Sequence, residues 1–181
     1  MNWKGIAAVF ALAAIGFAAC APEGSGNAEA SPSASARAVL IDREGRQVGT
    51  AVLSEQENGV LITVEVAGLP PGSKGFHIHE TGLCETPTFG SAGSHFNPAS
   101  RRHGIENPAG PHAGDLPNLR IGEDGTGELR VLNPYISLTG ENALLDGDGA
   151  ALMIHAGPDD YYSDPTGNSG DRIACGVIEP S

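Results

Sequence analysis

The chain has 181 residues, 22 of them acidic against 10 Lys and Arg, for a formal net charge of −12 at pH 7. That balance argues against nucleic acid as a partner, because a polyanion is held by basic patches that release its counterions. Glycine, at 26 residues, is about twice as frequent as the roughly 7% norm, and short β-branched runs recur between turn residues, a pattern that excludes a helical bundle and suggests an all-β domain.

The chain begins with one positive charge, Lys4, and an uncharged apolar run from Gly5 to Ala19. That run is shorter than the roughly 20 residues of a spanning helix, but it suits the apolar part of a secretion signal. It ends in "FAAC", and small residues directly before a cysteine resemble the lipobox of bacterial lipoproteins, cut before Cys20 with that thiol acylated. The alternative is a plain signal cut nearby with Cys20 unmodified; either reading predicts export. Residues 1–19 are thus expected to be a signal. Residues 20–36, built on "APEGSGNAEASPSASA", are expected to be a flexible tether, because they carry too little apolar surface to fold. Removal of Lys4 with the signal takes the net charge to −13. The folded part, residues 37–181, has the size of one ordinary domain.

Within it the predicted strands are, in chain order, "ARAVLIDRE", "QVGTAVLSE", "GVLITVEVAGL", "GFHIHE", "LPNLRIGED", "GELRVLN", "DGAALMIHA" and "RIACGVI". The third alternates clearly, with Val60, Ile62, Val64 and Val66 on one face and Leu61, Thr63 and Glu65 on the other. Turns such as "EDGTG" support hairpins. About eight antiparallel strands predict a sandwich or barrel. "DGDG" at Asp146 to Gly149 reads as a turn, because Gly157 stands where a calcium loop needs its bidentate glutamate.

In "GFHIHE", strand parity sends Phe76 and Ile78 to the core and puts His77 and His79 together on the other face. His155, in "AALMIHA", lies opposite Leu152 and Ile154 and can join them. Two connections, from about Glu80 to Asp115 and from about Ala156 to Asp171, are too long for hairpin loops and are therefore expected to be functional. The first contains His95, His103, His112 and Asp115, a plausible tetrahedral zinc set. A lone histidine is usually a surface or hydrogen-bonded residue, but six placed this way are hard to explain so, and imidazoles without sulfur ligands suit copper(II) or zinc. With Cys20 lipidated, Cys84 and Cys175 remain. They are either two separate buried thiols or a pair, and an oxidising exported setting favours the pair.

"GFHIHE", "GSHFNP", "HG", "GPHAGDLPNL" and "TGNSGDRIACGVI" together closely resemble the copper/zinc superoxide dismutases of the bacterial periplasmic branch. The resemblance spans the whole folded domain, in the family's order. It implies an eight-stranded Greek-key β-barrel, of immunoglobulin-like sandwich architecture, that disproportionates superoxide to dioxygen and hydrogen peroxide. It implies copper at His77, His79, His95 and His155, and zinc at His95, His103, His112 and Asp115. His95 then bridges the metals, leaves one of them during turnover and carries a proton. Asp159 matches an outer carboxylate that links a copper-ligand histidine to a zinc-ligand one. Cys84 and Cys175 match the family disulfide, and Arg172 matches the arginine that orients the substrate anion. The family's members are monomers or homodimers, and a lipid on Cys20 would be this chain's only link to a membrane, on its periplasmic side.

An anion approaching so acidic a protein needs a local positive field. The second long loop, "AGPDDYYSDPTGNSGD", has four aspartates and no lysine, so Arg101, Arg102 or Lys74 is expected to guide it, unless the two arginines are merely solvated. Tyr161 and Tyr162 could pack this loop, shape the channel or meet a second subunit. The competing functions are storage or delivery of periplasmic copper on the same fold, and a β-sandwich binding module with incidental histidines. A missing ligand or a missing Arg172 would favour the former, and neither is missing; the full ligand count opposes the latter.

Overall fold

The computed structural model describes Met1 and residues 34–181; the expected signal, Cys20 and the tether as far as residue 33 lie outside them. The described chain forms β1 (Ser35–Asp42), β2 (Gln47–Gln56), β3 (Gly59–Val66), β4 (Gly72–Lys74), β5 (Phe76–His79), β6 (Leu119–Ile121), β7 (Gly127–Asn133), β8 (Ala151–His155), β9 (Arg172–Val177) and β10 (Glu179–Pro180), with one 3-10 turn at Gly90–Ala92. No α-helix occurs among the described residues. The neighbours run β4-β6-β7-β3-β2-β1-β9-β8-β5, all pairs antiparallel. The two ends of that order, β4 and β5, are separated in sequence by Gly75 alone, so the segment 72–79 pairs with β6 by its first half and with β8 by its second. This closes the sheet into an antiparallel barrel and leaves few free edges.

Alternation builds the interior. The even residues of β3, Val60 to Val66, are buried as predicted. With Leu40, Leu53, Phe76, Ile78, Leu119, Leu152 and Ile154 they fill the barrel. Burying each such side chain contributes about 1.5–3 kcal/mol. Two strands go beyond the expected eight, β4 and β10, of three and two residues, too short to carry a period. The predicted strand at 116–124 is cut to Leu119–Ile121, because Pro117 has no N–H to give and the neighbouring Asn118 is bonded to the second long loop instead.

A second, smaller cluster lies outside the barrel wall. Phe89 and Ala92 of the first long loop cover Ala151 and Met153 of β8 and Cys175 of β9. Cys84 and Cys175 are joined as a disulfide, 91 residues apart in sequence, which fastens that loop to β9. Strand β8 is therefore buried on both faces. The outer face that parity assigns to His77, His79 and His155 is likewise roofed over, and all three are buried.

Candidate functional site: a histidine cluster under two loops

Strand β5 pairs with β8 along one edge, and its other edge is taken by the first long loop. The amide of Ile78 donates to Gly114 O at 2.8 Å, and the carbonyl of Ile78 accepts from Phe96 N at 2.8 Å. These bonds set His95 opposite His79 and Asp115 opposite His77 as isolated bridges. Gly114 is required there, because a Cβ would strike Ile78 O. His155, at the end of β8, donates its amide to Gly75 O at 2.8 Å. Three separate stretches thus bring their imidazoles together, with ring centroids 4.0 Å apart for His77 and His95 and 4.9 Å apart for His77 and His155.

Each ring in this group has one nitrogen engaged. His77 Nε2 donates to Asp159 Oδ2 at 2.7 Å, His79 Nδ1 to Gly93 O at 2.9 Å and His155 Nδ1 to Gly170 O at 3.0 Å. His95 Nδ1 lies 3.0 Å from Asp115 Oδ1. Acceptors at those positions fix the tautomers, so the opposite nitrogens carry lone pairs. Those opposite nitrogens, His77 Nδ1 and Nε2 of His79, His95 and His155, are buried without any partner. Ligand atoms of the four rings lie within 4.8 Å of one another. Burial is the main reason that His77 is pushed down to about 3, His79 to about 2 and His155 to about 4, and His95 is lowered too. The group is neutral at physiological pH, the form that binds a metal.

The neighbouring group has a different character. The Nδ1 atoms of His95 and His103 both lie 3.0 Å from Asp115 Oδ1, and His112 Nδ1 lies 3.4 Å from it. Asp115 Oδ2 accepts the amides of Gly104 and His112. Burial opposes a charge on His103, but Asp115 and Asp159 outweigh it and raise the ring to about 9. Burial would also raise Asp115, yet the three histidines hold it far below the usual carboxylate range. Proximity alone also groups His77 with His95, His103 and Asp115. His77 Nε2, however, is already bonded to Asp159 and its Nδ1 is one of the orphaned nitrogens. His112, whose Nδ1 points at Asp115 and lies 3.4 Å from His95 Nδ1, is the better fourth member.

Asp159 joins the two groups, with Oδ2 on His77 and Oδ1 on His103 Nε2 at 3.0 Å. Gly167 makes room for it, since a Cβ there, in the left-handed conformation, would collide with Asp159 Oδ1. Tyr161 packs the second loop against the barrel, its hydroxyl accepting Asn118 N at 2.7 Å, whereas Tyr162 is exposed. Asp164 ties the same loop to the first one by accepting His103 N at 2.7 Å.

A cavity of about 530 Å³ opens over the cluster, lined among others by His79, His95, His155, Arg101 and Arg172. The Arg172 guanidinium donates to Phe89 O and Gly93 O, each at 2.6 Å. Of the three cations expected to guide an anion, Arg101 is at this cavity. Arg102 is exposed and lies 3.9 Å from Asp164, outside the cavity lining. Lys74 is buried on β4, where its Nζ donates to Ala156 O at 2.7 Å, so it guides nothing.

A β-barrel whose two long loops close over adjoining histidine sets is the architecture of a metalloprotein with paired metal sites. The family model for copper/zinc superoxide dismutase matches residues 47–178. The chain is 54% identical over 146 residues to a Cu-Zn superoxide dismutase of Aquifex aeolicus, covering 79% of this chain and 85% of that one. A crystal structure of a superoxide-dismutase-like protein of Bacillus subtilis, a double mutant, is similar with a TM-score of 0.76 and 47% identity, over 78% of this chain and 95% of that one. The Cu/Zn superoxide dismutase of Brucella abortus is similar with a TM-score of 0.68 and 32% identity, over 80% and 99% of the two chains. The chain belongs to the copper/zinc superoxide dismutase family.

Proposed function

We infer that the chain disproportionates superoxide to dioxygen and hydrogen peroxide, using copper and zinc. The observation that carries this reading is the set of four buried, partnerless imidazole nitrogens, three of them on rings that line a cavity shared with Arg172. Four buried lone pairs left empty would be costly, and a soft-to-borderline cation satisfies them all. We assign copper to His77, His79, His95 and His155, and zinc to His95, His103, His112 and Asp115. Copper supplies the alternating oxidation states that the reaction needs, and zinc, which has no redox chemistry, supplies charge and geometry.

The chain's own groups do the rest. Arg172, held flat by two loop carbonyls, presents its remaining N–H edge to a small anion in the cavity. Gly93 O and Gly170 O keep His79 and His155 in the tautomer that leaves Nε2 free. His95 faces the copper set through Nε2 and the zinc set through Nδ1, so when Nε2 is not a ligand it can hold a proton beside the anion and deliver it. Arg172 at the cavity favours turnover over copper storage, which needs no anion site.

We also propose that the chain is exported, with 1–19 as signal and a tether from Cys20 that ends before β1, since Ser35 and Ala36, expected in the tether, stand in that strand with Ala36 in the core, and that a lipid on Cys20 anchors it to the periplasmic side of a membrane. The apolar run before "FAAC" and the Cys84–Cys175 disulfide, a bond of oxidising compartments, support this reading. Cys20→Ser should release the protein from the membrane fraction; continued membrane attachment would rule out the anchor. The activity is tested by following superoxide decay with purified protein loaded with zinc alone and with copper plus zinc. Catalytic decay only when copper is present supports the dismutase, and no acceleration with copper bound overturns it.

A further inference from the structure

We propose that Arg43, in the β1–β2 turn, is a positioning residue for this reaction: it holds the backbone of Arg172 and offsets the carboxylate of Asp171 at the cavity rim. The inference rests on the dismutase reading above. The ladder between β1 and β9 ends at the pair Asp42 and Ala174. Two residues further out, the Arg172 carbonyl has no strand neighbour on that side, and it accepts the Nε–H of Arg43 at 2.7 Å instead. The bond crosses 129 residues of sequence.

The turn that presents Arg43 is itself stiff. Asp42 N donates to Arg46 O, and Asp42 Oδ1 accepts the amides of Glu44 and Arg46. Arg46 Nε donates to Asp42 Oδ2 at 2.8 Å. Arg172 is consequently gripped at two points, its guanidinium by Phe89 O and Gly93 O and its main chain by Arg43. A guanidinium aimed from a mobile backbone would not keep the sub-ångström placement on which orientation depends.

The second role is electrostatic. Asp171 directly precedes Arg172, and its side chain is 77% exposed. Asp171 lies outside the cavity lining, in an adjoining depression with Arg43, but its neighbours Gly170 and Arg172 line both, so an uncompensated carboxylate here would repel an anion arriving beside Arg172. The Arg43 guanidinium lies 3.1 Å from Asp171 Oδ2. An exposed pair of this kind adds little to stability, but it changes the local field that an approaching charge meets.

The test compares Arg43→Gln, Asp171→Asn and the double variant as copper- and zinc-loaded protein. Each is followed by superoxide decay, by spectroscopic titration with azide as a small anion, by metal content and by melting temperature. Arg43→Gln is expected to lower kcat/KM and weaken azide binding roughly three- to tenfold, with metal content and Tm unchanged. Adding Asp171→Asn should recover part of the loss and flatten its salt dependence. A wild-type rate and azide affinity in Arg43→Gln would overturn the proposal, as would a loss that tracks missing metal or a lowered Tm. Complete recovery in the double variant would overturn the positioning role. Should the loaded wild-type protein prove inactive, the dismutase reading falls on its own, while azide affinity still reads the hold of Arg43 on Arg172.

Discussion

The two halves of the histidine cluster are built by different means. His77, His79 and His155 stand on β5 and β8, strands fixed by their ladders on the barrel wall, and each has one nitrogen tied and one left open. His103, His112 and Asp115 all come from the first long loop, and their polar atoms turn inward on one another around Asp115 Oδ1. The strand half is neutral and open, whereas in the loop half His103 stands between two carboxylates, Asp115 and Asp159, that favour charge on its ring. The strands preorganise a converging set of lone pairs at the cost of desolvation, while the loop relies on its own carboxylate to gather its ligands.

The sharpest way to break the contrast is to remove one strand histidine. His155→Ala should abolish copper binding and lower the superoxide rate by roughly 100-fold or more, with zinc still bound by the loop half. Copper and zinc content of the purified variant, read beside its rate, checks this. Cutting the link between the halves is the next step down. Asp159→Asn keeps the shape but loses the carboxylate on His77 and His103, and should weaken metal affinity roughly 10–100-fold by competition titration.

The halves should also separate by pH in the metal-free protein. The strand histidines have folded values of about 2 to 4, below the unfolded value of about 6.5. The unfolded chain therefore binds more protons in that window, and stability falls as pH falls below about 6.5. His103 acts in the opposite sense. Its folded value of about 9 gives a stabilising contribution that is complete below about 6.5 and is lost as pH rises towards 9. Metal-free protein should show a Tm that declines on both sides of that pH, and zinc should flatten the alkaline slope by replacing the proton on His103, while the acid slope persists with copper bound. Identical profiles with and without metals would contradict the division. The smallest effect is expected at the cavity mouth. Arg101→Glu should slow the reaction a fewfold at low salt, and Arg102→Glu should leave it nearly unchanged, since only Arg101 lines the cavity.

Much of this was legible in the sequence, for reasons that differ by element. Period-two alternation marks β3 and puts His77, His79 and His155 on one side of the wall. The length of the two connections marks them as more than hairpin loops. Periodicity has nothing to say about three-residue β4, so the closure of the barrel around Gly75 is visible only in the fold. Lys74 shows how charge misleads: in sequence it is a spare cation beside the histidines, but the strand turns it inward onto Ala156 O. Arg43 gives no local signal at all, because its meaning depends on a carbonyl 129 residues away.

The most direct measurement is a crystal structure of the copper- and zinc-loaded protein with anomalous differences collected at both metal edges. Copper is expected among His77 Nδ1 and the Nε2 atoms of His79, His95 and His155, and zinc among His95, His103, His112 and Asp115. Zinc bound through His77 in place of His112, or copper bound away from the four open nitrogens, would contradict this assignment.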